Sequence, residues 1–173
     1  MRDSILFPIF IIFLGGLMRL VPHVPNFAPI TAIALFGGMY MNRKYALILP
    51  FIIMVISDFF LGFHDTLVFV YGSFLISGLL GLGVREYKTA GRILLITIAA
   101  SIQFFIITNL GVFLAGHIYP KTIQGFIDCY VMALPFFRNT IVGDVLFTTS
   151  FILAFELLKQ LAHKVKPALV KEK

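Results

Sequence analysis

The chain has 173 residues, 60% of them hydrophobic and only 13% charged, with a mean hydropathy of +0.99. A soluble domain of this length needs far more surface charge, so the composition excludes an ordinary water-soluble globule and points to an integral membrane protein. The net charge of +6 sits in short loops and at the C-terminus, where it reports orientation; no motif or basic–aromatic stripe suggests nucleic acid.

Taken in chain order, apolar runs near the length of a bilayer core predict six spans. The first covers residues 5–20. Arg2 ahead of it resembles the start of a signal peptide, but no A-x-A site follows, so a retained span is expected. The second, 27–41, opens around Pro29 and is rich in small residues. The third covers 45–62, the fourth 67–84, the fifth 93–116 and the sixth 139–161. Between the last two lies "TIQGFIDCYVMALPFF" (122–137). Fusing it to the sixth span would make a helix longer than a bilayer needs, and Pro135 disfavours that. A short extra helix or re-entrant segment is expected there. The fold class is therefore an all-α integral membrane bundle of six transmembrane helices. It forms one domain, 1–162, with a basic cytoplasmic tail, 163–173.

Lys and Arg set the orientation. With both termini in the cytoplasm, Arg2, Arg43, Lys44, Arg85, Lys88, Arg92, Lys159, Lys164, Lys166, Lys171 and Lys173 fall inside. Only Arg19, Lys121 and Arg138 of the 14 basic residues fall outside. The absence of Trp leaves six Tyr to mark the interfaces.

In this orientation the polar residues gather at the outer ends of the spans. A charge within a membrane costs roughly 2.5–3.5 kcal/mol on insertion scales, so each needs a partner or a wet cavity. Thr140, Asp144 and Thr148, at i, i+4 and i+8, share one helix face, which is expected to point inward. Arg138 and Asn139 are expected at the outer mouth of the same helix. Asp144 either pairs with an arginine of another helix, Arg19 being a candidate, or touches substrate. Asp58 reads as a pocket acid or as a polar helix end. Asn109 and Gln103 read as pocket lining or as amides bonding between helices. Ala28–Ala32 and Ala34–Gly38 have the small-residue spacing that lets helices approach closely. The single Cys129 excludes an intramolecular disulfide and reads as an apolar filler. His23, His64 and His117 lie in separate loops without ligand spacing, so no metal site is assigned. Neither Ser73 nor Ser77 is tied to a histidine by any protease motif.

With the residues sorted, the chain resembles the substrate-binding S components of energy-coupling factor (ECF) transporters. The stretch "PNFAPITAIALFGGMYMNRKYALILPFIIMVISDFFLG" (25–62) is similar to their second and third spans. It has a proline opening, a small-residue helix reaching Gly-Gly, a tight basic turn and a helix ending near Asp. "MALPFFRNTIVGDVLF" (132–147) is similar to the start of their sixth. The resemblance implies a bacterial cytoplasmic-membrane receptor that captures a vitamin-like small molecule from outside. Its pocket would be capped by loops 21–26 and 63–66, and its partners would be an ECF transmembrane subunit and two ATPases. The residues expected to bind substrate are Asn26, Asp58, His64, Asn109, Arg138, Asn139 and Asp144. One departure is visible: the A-x-x-x-A that the family carries on its first span stands here on the second. A cobalamin-transporting branch uses a cysteine on cobalt, a part Cys129 would have to take. No enzyme activity and no cofactor are expected, and no P-loop is present. The competing readings are a proton-coupled secondary transporter using Asp58 or Asp144, and a non-enzymatic membrane scaffold whose outer polar groups pair internally and leave no cavity.

Overall fold

The structure is a computed structural model that describes residues 3–171, with side chains described from 6 to 162. Arg2, Lys173 and the side chains of the basic tail, which entered the orientation argument, lie outside this description. Six helices follow one another: α1 Asp3–Met18, α2 Ile30–Tyr40, α3 Ile48–Leu61, α4 Leu67–Val84, α5 Ala90–Ala115 and α6 Ile123–Lys171. Among the described residues there is no strand. Within them, three helices are long and apolar enough to cross a membrane: α4, α5 and the 123–162 part of α6. α1, α2 and α3 have 16, 11 and 14 residues. At 1.5 Å per residue each falls short of the roughly 30 Å hydrocarbon thickness.

α2 is the centre of the bundle. Every residue from Thr31 to Met39 is buried, which is why its sequence is apolar on all faces. Its small residues set the packing. A Cβ added at Gly38 would lie 2.3 Å from the Gly78 carbonyl oxygen, and one at Gly81 would lie 2.4 Å from that of Leu35. α2 and α4 therefore meet backbone to backbone, running parallel, through a seam that only glycine permits. On the opposite side α6 presents Phe147, Phe151 and Phe155 at helical spacing. Phe151 and Phe155 pack edge-on against Phe36 at 6.1 and 5.9 Å, and Phe147 lies 5.4 Å from Phe27.

The register of the glycine seam places Ile30 level with the second turn of α4. α2 thus begins deeper than the end of its neighbour, and residues 21–29 enter the bundle as non-helical chain. Pro29 stands as its N-cap with no side-chain hydrogen bond. At α5, by contrast, Thr89 accepts from the Arg92 amide at 3.4 Å, so the helix starts at Ala90, three residues before its apolar run.

The expected break before the sixth span does not exist. Residues 123–171 form one helix of 49 residues that runs through Pro135. The reason is its partner. α5 lies antiparallel along this segment, with Phe113 on Phe126 at 5.3 Å, Phe105 on Phe137 at 4.4 Å, and the Tyr130 hydroxyl donating to the Ile106 carbonyl at 2.7 Å. Pro135 is exposed, on the face turned away from those contacts, where its missing amide disturbs no packed neighbour.

The two ends of the bundle differ. At one, the α2–α3 and α4–α5 connections meet: Arg43 pairs with Glu86 at 3.4 Å and Lys88 sits 4.9 Å over the Tyr40 ring. At the other end lie Arg19, the 62–66 loop and the α5–α6 turn. There Lys121 donates to the α5 carbonyls of Phe113 and, at 2.8 Å, Gly116, closing the helix end.

Candidate functional site

Where α2 begins early, the space above its first turn stays open. A cavity of about 270 Å³ occupies it, lined by residues from four helices and two loops. Its floor is Thr31 at the start of α2, with Thr140 and Asp144 of α6. α5 contributes Phe104, Thr108, Asn109 and Val112; Val70 comes from α4. Arg19, just past α1, and Asn26, Ala28, His64 and Thr66 surround the mouth.

Arg19 is held from behind. Its guanidinium lies 2.6 Å from Asp58 and also donates to the Ser57 hydroxyl and, at 3.5 Å, to the Met54 carbonyl. Asp58 takes a further bond from the Tyr71 hydroxyl at 2.8 Å and is 1% exposed. The pair is a buried ion pair with further hydrogen bonds on both partners, and it ties the end of α1 to α3 and α4 near the mouth.

Asp144 has a different environment. It is 2% exposed, and its Oδ2 accepts from the Ser101 hydroxyl at 2.6 Å. Thr31 also places its hydroxyl toward this carboxyl group. Among the described residues no cation lies within ion-pair distance of it. The expected alternative, an Asp144–Arg19 pair, is therefore corrected: Asp58 holds Arg19, and Asp144 keeps only hydroxyl partners. The stripe itself lies inward, with Thr140, Asp144 and Thr148 all buried.

The mouth is built from loops pinned at defined points. Asn26 adopts φ 60°, a left-handed conformation that Asn tolerates better than most side chains. Asn139 donates to the Pro25 carbonyl at 3.1 Å, fastening loop 21–29 to α6. His64 Nδ1 and the Thr66 hydroxyl are 2.9 Å apart in the facing loop.

Of the residues expected to bind substrate, Asn26, His64, Asn109 and Asp144 line this cavity together. The other three are placed elsewhere. Asp58 lies behind Arg19 as its counter-ion rather than in the pocket. Asn139 holds the loop. Arg138 is exposed and outside the lining, because six residues before Asp144 put it on a different face of α6. His23 and His117 are exposed and outside the lining as well. Cys129 is buried with its thiol 3.5 Å from the Asn109 carbonyl and is not among the residues that line the cavity. Among the described residues no three His, Cys, Asp or Glu side chains converge as a metal site. Gln103 bonds the Ser73 carbonyl and the Ser77 hydroxyl of α4 at 3.0 and 2.8 Å, an interhelical tie.

The site also includes residues that the sequence reading did not single out: Thr31, Thr66 and Thr108 in the lining, and Ser101 behind it as the partner of Asp144. Thr97 and Ser101, one helical turn apart in an apolar run, were the visible signal for a polar face on α5.

Fold and cavity define an all-helical protein with membrane-length apolar helices and a polar cavity at one end of the bundle. The chain matches DUF6580, a family of unknown function, over residues 1–168, and belongs to that family. No curated protein and no solved structure matches it.

Proposed function

We propose that this protein is a membrane-embedded capture protein for a small, vitamin-like molecule, working in the manner of an ECF S component. In this reading all six helices lie in the bacterial cytoplasmic membrane with both termini inside. The cavity opens outward and the basic end faces the cytoplasm. The resemblance of 25–62 and 132–147 to S components belongs to this proposal, as do an ECF transmembrane subunit and ATPases as partners.

One observation carries the reading. The mouth-end polar groups do not simply pair with one another; they surround a cavity of about 270 Å³. Ligand sites commonly measure roughly 300–1,000 Å³, so this one suits a small solute. A scaffold gains nothing from a polar cavity within a bundle, where each unpaired polar group is costly.

The test is native mass spectrometry of gently purified full-length protein. A retained mass of a few hundred daltons, lost on unfolding, is the expected result. A ligand-free protein that also stays free after incubation with a vitamin mixture would overturn the reading. Uptake driven by a pH gradient in liposomes holding this protein alone would favour the proton-coupled alternative instead.

A further inference from the structure

We propose that the molecule taken up by this cavity carries a cationic head, a protonated amine or comparable organic cation, and that Asp144 is its counter-ion. This rests on the capture reading above and narrows it to a substrate class.

The argument starts from the charges that face the cavity. Arg19, Asp144 and His64 are the ionisable side chains in its lining. Arg19 is already neutralised by Asp58 at 2.6 Å. Asp144 has hydroxyl partners only, at 2% exposure. A buried carboxyl group without a cation stays ionised only when something supplies the missing charge; otherwise it keeps its proton. The start of α2 supplies part of it. Thr31 lies in the first turn, where the helix end is equivalent to roughly half a positive charge. That steadies the carboxylate without satisfying it. A bound cation completes the balance.

The rest of the cavity argues for an organic cation over a bare ion. Its volume far exceeds what an alkali ion fills, and its lining includes the apolar side chains Ile30, Val70, Phe104 and Val112. Phe104 brings an aromatic ring to the lining, a group whose face attracts cations when desolvated. Asp144 together with these apolar side chains in one lining fits a molecule with a charged head and an apolar body.

The experiment uses full-length protein in detergent. Thermal unfolding is followed while titrating choline, agmatine and benzylamine, their uncharged or anionic counterparts benzyl alcohol and benzoate, and NaCl against KCl. Native mass spectrometry on the same preparation identifies any ligand carried from the cell. The expected result is saturable stabilisation by at least one ammonium compound, or a co-purified ligand bearing a basic nitrogen. Its affinity should fall at least about thirty-fold in Asp144→Asn, the scale for removing one member of a buried charged pair. Asp144→Glu should retain part of it. Asp144→Asn keeps the shape and the acceptor for Ser101, and its unliganded melting temperature reports whether it folds. Ser101→Ala is the second variant: it leaves the charge and should weaken binding without changing the preference for cations.

Three results overturn the inference. A neutral or anionic ligand, bound equally by Asp144→Asn, leaves the capture reading standing and removes the cation. Stabilisation by NaCl alone, lost in Asp144→Asn, makes the site an inorganic-cation site. No stabilisation by any compound and no co-purified mass removes the capture reading and this inference together.

Discussion

The glycine seam between α2 and α4 allows a test with opposite signs on one helix. Gly81→Ala places a methyl group 2.4 Å from the Leu35 carbonyl oxygen and 3.1 Å from its carbon. Ordinary contact begins near 3.4 Å. The obstructing atoms are backbone in the middle of a buried helix, so no side-chain rotation relieves the clash. Overpacking of this kind costs about 1–3 kcal/mol. The gain in helix propensity from Gly to Ala returns roughly 0.5–1 kcal/mol. The net expectation is a loss of up to about 2.5 kcal/mol, or a melting temperature lower by up to about 10 °C for a chain of this size. Gly83→Ala, two residues on, meets nothing within 4 Å. It should be neutral or slightly stabilising, from propensity alone. Thermal unfolding of both variants in the same detergent compares them directly. Equal melting temperatures would refute the backbone contact between α2 and α4, and with it the register that sets the depth of the cavity floor.

Further outcomes follow from the other contacts. Arg19→Ala leaves Asp58 buried and unpaired and should cost about 3–5 kcal/mol, whereas Arg19→Met combined with Asp58→Leu should recover most of that in the same melting assay. Pro135→Ala restores a backbone bond inside a continuous helix and should stabilise by up to about 3 kcal/mol; no change would indicate that the helix breaks there after all. Asn139→Ala releases loop 21–29 from α6 and should weaken ligand retention about ten-fold in native mass spectra, from loss of one mouth-forming bond. Arg138→Ala, on an exposed face outside the cavity, should leave retention within about two-fold.

Much of the architecture was legible because hydrophobic runs report helices directly. The bounds of α4 were read correctly to the residue, and those of α1, α2, α3 and α5 to within a few residues; α6 starts earlier and ends later than its expected span. That miss has a clear cause. Proline is a local signal, while the aromatic contacts from α5 that carry the helix through Pro135 are tertiary and leave no local mark. The inward stripe of Thr140, Asp144 and Thr148 followed from helical periodicity alone. Which acid would claim Arg19 did not, because Asp58 and Asp144 are equivalent in sequence terms and only the packing of α1 against α3 decides between them. Asn26 and His64 could be placed at the mouth because loops adjoining the same end of a bundle must converge there. Thr31 was hidden by its setting, a small polar residue in a run otherwise suited to tight packing.

The continuous α6 has a mechanical meaning. The wall that carries Asp144 and the stretch that leaves the bundle at the basic end belong to one rod, with no joint between them. From Asp144 to Ala162 that rod extends roughly 27 Å at 1.5 Å per residue. A tilt imposed at its far end reaches the cavity floor undamped, and a ligand that shifts the floor swings the far end in return. A protein sitting at the basic end would therefore sense occupancy through the angle of one helix, without touching the cavity.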